Sequence, residues 1–176
     1  TKKMAGQELT EMGELAGVGA VAFSDDGKPN ANSQVMRSAL EYSRMFGRPI
    51  MPHSEDPELA KGGVMNEGPV ATRLGLKGWP ATAEDVMIAR DVKLADLTGG
   101  RLHVAHVSTA GGVELVREAK ARGVPVIVFI WNPWLRSFAD SASDPFYTLL
   151  HKPVSERLKD MGHGEQDIVV TYAVSA

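Results

Sequence analysis

Three short apolar runs in this sequence each end at or near a side chain that binds metal ions. The runs and their metal-binding residues are 18–24 with Asp26, 49–53 with His53, and 101–107 with His106. All three runs have the composition of buried β-strands. In a parallel α/β fold the carboxyl ends of successive strands open onto one face, so residues far apart in sequence meet there. The pattern therefore predicts a divalent metal site made of one carboxylate and two imidazoles.

Segments with helical periodicity separate these runs. Apolar residues about 3.6 positions apart follow Asn32, a second such stripe begins at Thr82, and a third precedes Gly123. Asn32 or Ser33 can cap the first of these helices, and Thr82 with Asp85 three residues later matches an Asp variant of the capping box. A further short helix is expected over residues 6–15.

The predicted order of elements is four helices alternating with four strands, the last strand covering residues 124–130. Alternating units of this kind specify a parallel sheet covered by helices, with right-handed crossovers. Four strands cannot close a barrel of eight. The fold class is therefore α/β, with either an open sheet or a piece of a larger closed fold. Residues 54–80 are rich in glycine and proline without a sustained period, and we expect a long functional loop there.

Composition narrows the classes of ligand. The 176 residues include no cysteine, so a metal would be held by imidazole and carboxylate groups rather than by thiolates. The net charge of −3 creates no field that would attract nucleic acid or anionic lipid. No apolar run approaches the roughly 20 residues that span a bilayer, and no charged-then-apolar leader begins the sequence. We expect a cytoplasmic protein with a small-molecule or protein partner.

Each candidate ligand also has an ordinary structural explanation. Asp25 and Asp26 precede Gly27, and aspartate is common in turns because it forms local hydrogen bonds. His53 is followed by Glu55 and Asp56, whose carboxylates can orient an imidazole, although it could equally be a partly exposed loop residue.

Two histidines compete for one position in the third run. Period-2 alternation places His103 and His106 on opposite faces of a strand, so only one of them can be a ligand. His106 is nearer the carboxyl end and is preferred, which leaves His103 as a packed or surface residue. His151 and His163 have no partners at ligand spacing. No phosphate-binding glycine motif and no G-x-S-x-G elbow occurs.

Five stretches together resemble the bacterial class I dihydroorotases of the amidohydrolase superfamily. They are VAFSDDG at 21–27, HSEDP at 53–57, NEG at 66–68, IARD at 88–91 and HVAHVST at 103–109. The resemblance covers residues 1 to about 126 and includes the spacing of 27 positions from Asp26 to His53 and 53 positions from His53 to His106.

This resemblance implies part of a TIM-like (β/α)8 metallohydrolase barrel. Asp26 is similar to the carboxylate that bridges two zinc ions, and His53 and His106 look like the histidines of the second ion. The implied cofactor is Zn²⁺, one or two ions. The implied reaction is the reversible cyclisation of N-carbamoyl-L-aspartate to dihydroorotate in pyrimidine biosynthesis, where metal ions polarise the carbonyl and supply hydroxide near neutral pH.

Other motifs of that family do not occur in this sequence. The family uses a His-x-His pair ahead of the carboxylate, with a neighbouring arginine for the substrate, and a late Asp-x-Ala-Pro-His segment whose aspartate is the general acid and base. Neither motif is found here, so no catalytic residue is assigned. After residue 126 only Asn132-Pro133 echoes the family. We therefore expect a barrel segment truncated at both ends that is weakly active or inactive by itself.

The domain prediction follows from this boundary. Residues 1–130 are expected to form the partial barrel, and residues 131–176 an irregular tail with one strand near 168–174. An incomplete barrel exposes strand edges and apolar surface, which favours homo-oligomers or poor solubility. The alternative is a non-catalytic module for protein contacts, for example with aspartate transcarbamoylase. An open flavodoxin-like binding domain is a third alternative.

Overall fold

The computed structural model describes residues 1–128. The predicted tail at 131–176, its strand near 168–174, the end of the fourth strand, and His151 and His163 lie outside the described residues. Within residues 1–128 no helix has the length and apolarity needed to cross a bilayer.

Short strands alternate with helices along the described part of the chain. The α-helices are α1 (Met12–Gly17), α2 (Ser33–Ser43), α3 (Pro57–Ala60), α4 (Pro69–Leu74), α5 (Thr82–Thr98) and α6 (Ala110–Ala121). The strands are β1 (Met65–Asn66), β2 (Gly78–Trp79), β3 (Leu102–Val104) and β4 (Val126–Val128). Two 3₁₀ helices cover Lys2–Met4 and Arg44–Phe46.

The main sheet is parallel, as the sequence predicts. Strand β3 pairs with β4 in a register that sets Leu102 opposite Val126. Ile50 forms a parallel bridge to Leu102 on the other side, and Phe23 forms a parallel bridge to Ile50. The four predicted strands therefore lie side by side in chain order, which places the three candidate ligands at one end of the sheet.

The first two predicted strands are much shorter than expected. Helix α1 continues to Gly17, and Val18 and Val21 are exposed, so the apolar composition of residues 18–24 does not reflect a buried strand there. In residues 49–53 the prolines Pro49 and Pro52 have no N–H to donate, which limits regular pairing around Ile50.

Helix α2 has the N-terminal cap that the sequence predicts, whereas helix α5 does not. The Asn32 side chain accepts hydrogen bonds from the amides of Gln34 and Val35 and caps α2, as predicted. Helix α5 begins without a side-chain cap, and the Asp85 carboxylate accepts from the Thr109 hydroxyl instead. The capping box predicted at Thr82 is therefore wrong, because a tertiary partner takes the carboxylate.

Residues 54–80 contain regular structure that periodicity did not reveal. Asp56 caps the short helix α3, and β1 and β2 form a separate parallel pair with Asn66 opposite Trp79. Gly78 is required there, because a Cβ at this position would lie 2.5 Å from the Cα of Glu67. Elements of two to six residues are too short to show a hydrophobic period.

The core lies between the sheet and helices α2, α5 and α6. Its fully or almost fully buried apolar residues include Met36, Leu40, Ile88, Ala95, Leu102, Val104, Val107 and Ala119. Val86 falls in the apolar stripe predicted after Thr82, yet it is 40% exposed, whereas its neighbours Met87 and Ile88 are buried. The core thus supports β3, and the loop that carries His106 follows this strand.

Candidate metal centre

Asp26, His53 and His106 lie together at the carboxyl end of the main sheet. His106 Nε2 is 3.0 Å from Asp26 Oδ1, His53 Nδ1 is 3.3 Å from the same oxygen, and the two ring nitrogens are 3.3 Å apart. Among residues 1–128, these are the three carboxylate and imidazole side chains whose ligand atoms all lie within 4.8 Å of one another. Three side chains separated by 27 and 53 positions thus present one donor atom each to a common point.

The spacing of these donors matches the requirement of a small divalent ion. Four donors placed tetrahedrally at about 2.0–2.1 Å from Zn²⁺ lie about 3.3–3.4 Å from one another. The three observed separations, 3.0 to 3.3 Å, are close to one face of such a tetrahedron. Imidazole and carboxylate are also ligands that zinc prefers when thiolates are absent. The residues present therefore fit the group that the family resemblance implies.

A compact turn presents Asp26. The Ser24 hydroxyl donates to the Met51 carbonyl at 2.7 Å and accepts from the Asp26 amide at 2.9 Å. The Lys28 amide closes the turn on the carbonyl of Asp25 at 2.9 Å. Ser24 thus joins the turn to the segment that carries His53.

The charge on Asp26 depends on opposing effects. Partial burial of the carboxyl favours its neutral form, but the hydrogen bond with His106, the charge of a protonated imidazole and the Gly27 amide together lower its pKa. The carboxylate is 51% exposed, so water also reaches it. Asp26 is consequently an anion near neutral pH, which is the form that binds a cation.

His53 follows Pro52 and is oriented by Glu55. Glu55 Oε2 lies 2.9 Å from His53 Nε2, while the other ring nitrogen, Nδ1, faces Asp26 and His106. A carboxylate on one ring nitrogen fixes the tautomer and raises the basicity of the other. Of the two carboxylates that the sequence offers for this task, Glu55 takes it, whereas Asp56 caps α3.

His106 lies in the loop between β3 and α6 and has an unusual backbone. Its φ is +36°, a value that residues with a side chain rarely adopt. The Glu84 carboxylate of helix α5 accepts hydrogen bonds from the amides of Ser108 and Thr109, two and three residues after His106. Thr109 then caps α6 by accepting from the Gly112 amide at 3.0 Å.

His103 does not join this group. It lies on β3, is buried, and its Nε2 has no hydrogen-bond partner among the described residues. Burial lowers its pKa. Of the two roles expected for His103, a packed or a surface residue, the packed one is observed.

A cleft of about 670 Å³ is lined in part by His53 and His106. Asn66 and Trp79 of the β1–β2 pair line one side of it, and Ser108 and Gly111 line another. Carboxylates are prominent in its wall, namely Glu55, Glu67, Glu84 and Asp85. The volume is in the range of small-molecule sites.

Glu84 and Asp85 are the functional candidates that sequence reasoning missed. Their position at the start of a helix made them look like first-turn acidic residues or a cap. The family resemblance did not single out Glu84 or Asp85 either, because neither residue belongs to any of the five stretches that carry it. Their contacts to the loop after His106 depend on how α5 packs, which local sequence does not specify.

The chain is similar to known proteins over the segment that carries Asp26, His53 and His106. A family model described as dihydro-orotase-like matches residues 2–111. The chain belongs to the dihydro-orotase-like family. The resemblance inferred from the five sequence stretches is thereby confirmed, and it extends to about residue 126.

Several curated relatives are dihydroorotases. The chain is 61% identical over 123 residues to the dihydroorotase of Syntrophobacter fumaroxidans, a match that covers 70% of this chain and 28% of that protein. It is 60% identical over 126 residues to the dihydroorotase of Pelotomaculum thermopropionicum, covering 72% and 30% respectively. The chain therefore spans less than a third of the length of these relatives.

Solved structures of hydantoinases share the fold. A crystal structure of D-hydantoinase aligns with a TM-score of 0.56 at 24% identity, over 83% of this chain and 33% of that one. D-hydantoinase from Bacillus sp. AR9 aligns with a TM-score of 0.56 at 22% identity, over 76% and 33%. The fold of this chain is thus shared with these hydantoinases.

Proposed function

We propose that this chain supplies Asp26, His53 and His106 as ligands of a zinc centre in a dihydroorotase. The substrate pair would be N-carbamoyl-L-aspartate and dihydroorotate. The observation that carries the proposal is the convergence of three donor atoms within 3.0 to 3.3 Å at the end of a parallel sheet. Membership of the dihydro-orotase-like family and relatives at about 60% identity support the same reaction.

Each residue would have a distinct task at the centre. Asp26 would supply an anionic carboxylate oxygen to the metal. His53 and His106 supply neutral imidazole nitrogens, and Glu55 holds the His53 ring in the required tautomer. A divalent ion bound there would act as a Lewis acid on the ring amide carbonyl.

We further propose that residues 1–130 form one part of a (β/α)8 barrel. The parallel order of Phe23, Ile50, β3 and β4 supports this, because successive barrel strands are neighbours in chain order. The sequence holds no His-x-His pair and no late Asp-x-Ala-Pro-His segment. We therefore expect weak metal binding and little or no dihydroorotase activity from this chain alone.

Zinc titration of the 176-residue chain tests the site. Asp26→Ala, His53→Ala and His106→Ala should each weaken binding by about tenfold or more, because each removes one donor. Asp96→Ala is the matched control, since Asp96 is an exposed carboxylate on α5 with only a 4.0 Å contact to Arg122. Equal zinc affinity for all four variants and the unaltered chain would contradict the shared site.

Oligomerisation and contact with aspartate transcarbamoylase stay predictions. Apolar side chains such as Val64, Leu74 and Leu76 are exposed in the described part of the chain, which suits contacts with other protein surfaces. Sedimentation of the purified chain, alone and with aspartate transcarbamoylase, measures both. A stable compact monomer in each experiment would contradict them.

A further inference from the structure

Helix α5 contacts all three segments that carry the candidate ligands. The Ala83 carbonyl accepts from the amide of Asp56, three residues after His53, at 2.8 Å. Arg90 Nη1 donates to the carbonyl of Asn30, beyond the Asp26 turn, at 2.7 Å. The most extensive set of hydrogen bonds is made to the loop that follows His106, and it comes mainly from one side chain, Glu84.

Both oxygens of Glu84 bind this loop. The Ser108 amide lies 3.0 Å from Oε1 and 3.1 Å from Oε2, and the Thr109 amide donates to Oε2 at 2.8 Å. The Ser108 hydroxyl adds a contact to Oε1 at 3.2 Å. An ionised carboxylate that accepts several backbone N–H groups forms strong, charge-assisted hydrogen bonds. Glu84 therefore fixes the backbone two residues beyond His106.

The backbone of His106 needs such support. With φ at +36° it occupies a conformation that is uncommon for a residue with a side chain, and such a conformation persists only where its surroundings determine it. On one side the loop is continuous with β3, which pairs with β4 and Ile50. On the other side Glu84 holds Ser108 and Thr109. The loop is thus anchored at both ends while His106 reaches toward Asp26.

The residue next to Glu84 reinforces this anchor. Asp85 Oδ1 accepts from the Thr109 hydroxyl at 2.6 Å, and the same hydroxyl caps α6. A Cβ at Gly111 would lie 2.4 Å from Asp85 Oδ2, so glycine is needed for this approach. The start of α6 and the start of α5 are therefore joined through one threonine.

We propose that Glu84 is a positioning residue that sets the His106 imidazole at its donor distance from Asp26 and His53. It acts through the Ser108 and Thr109 amides. Its effect on metal binding rests on the function proposed above, but its effect on the loop does not. The two can therefore be tested separately.

The first experiment needs no metal. Hydrogen exchange of the Ser108 and Thr109 amides should be about tenfold faster or more in Glu84→Ala than in the unaltered chain, because both lose their acceptor. NOE contacts between the His53 and His106 rings, whose centroids are 5.0 Å apart, should weaken in the same variant. Glu118→Ala is the matched control, since it removes an exposed glutamate from the adjacent helix α6. Unchanged exchange or unchanged ring contacts would overturn the proposal.

The second experiment uses zinc as the probe. Zinc affinity should fall by about 10- to 100-fold in Glu84→Ala, the usual effect of removing a residue that orients a ligand. Glu84→Gln keeps one carbonyl acceptor and should recover part of the loss. Circular dichroism should show the same helix content for all variants.

A double-mutant comparison separates positioning from direct binding. If Glu84 acts through His106, then adding Glu84→Ala to His106→Ala should cause no further loss of zinc affinity. A further tenfold loss would show that Glu84 acts on the cation independently and would overturn the proposal. If the unaltered chain binds no zinc, the proposed metal site fails, whereas the exchange and NOE results still decide the role of Glu84.

Discussion

The loops that carry Asp26 and His106 deliver their donors to one point by different means. The Asp26 turn is closed by the Asp26 and Lys28 amides, and it is linked to Met51 through Ser24 and to Thr1 through the Asp25 carboxylate. The His106 loop is anchored by two carboxylates from α5, about 24 positions earlier in the chain. The Asp26 side chain is 51% exposed and that of His106 is 36% exposed, but the two neighbours of His106, Ala105 and Val107, are buried.

This difference shows which parts of the site depend on packing. The Asp26 turn is held by its own residues and by Thr1 and Met51 rather than by a core helix, so we expect it to tolerate changes in the core. A loop with a strained residue and distant anchors depends on the helix that supplies them. We therefore expect mutations in the core or in α5 to disturb His106 more than Asp26.

The largest expected effect comes from the core beneath His106. Leu102 is fully buried on β3, and Leu102→Ala should lower the free energy of unfolding by about 2–5 kcal/mol. Val21 precedes the Asp26 turn and is 54% exposed, so Val21→Ala should change the free energy of unfolding by less than about 0.5 kcal/mol. Urea unfolding of the two variants measures the contrast. Similar losses would show that the Asp26 side is equally dependent on the core.

The next effect is a pH dependence from α5. Asp91 is completely buried beside Arg90, and burial raises its pKa to about 6 despite the opposing guanidinium. The folded state thus binds this proton more tightly than the unfolded state. The stability that it contributes is complete below about pH 4 and is lost as the pH rises to about 6, a change of about 3 kcal/mol.

Asp91→Asn tests this linkage. The variant should show a flatter dependence of unfolding free energy on pH between about 4 and 6, measured by denaturant titration at several pH values. Asp26 has a lowered pKa, so its contribution has the opposite sign and is lost only as the pH falls below the usual range of aspartate. A slope that persists in Asp91→Asn would contradict the assignment to Asp91.

The smallest effect compares two glycines. Gly111→Ala would place a Cβ against Asp85 and should cost about 1–3 kcal/mol, because the carboxylate must leave Thr109. Gly27, beside Asp26, has a φ of +83° and open space around it, so Gly27→Ala should cost only the backbone strain, about 1 kcal/mol. Thermal unfolding distinguishes them. A larger loss for Gly27→Ala would reverse the comparison.

The parts of the fold that rest on local chemistry were predictable. The Asn32 cap and the left-handed Gly99 that ends α5 follow from residue type. The first two strands were predicted too long, because apolar composition does not tell an exposed Val18 from a buried Phe23. The elements within residues 54–80 were missed, because each is too short for a period.

The residues of the candidate site also divide into those that the sequence predicts and those that it does not. Asp26, His53 and His106 could be singled out because a metal donor at a strand end has a recognisable context, and the family resemblance named the same residues. Glu55 was within two residues of its partner and could be anticipated. Glu84 and Asp85 could not, since nothing near them in the sequence indicates a loop that follows them by about 24 residues.

The sequence by itself determined the alternation of helices and strands, the chemistry of the donors and the family to which the chain belongs. These depend on residue type and short-range spacing, which the chain carries at every point. Only the tertiary structure decided that three donors meet within 3.3 Å, which ring nitrogen of His53 faces them, and that α5 anchors the His106 loop. These contacts join residues that lie far apart in the sequence. Their distance in space depends on how the helices and strands pack around the core, which short-range sequence patterns do not specify.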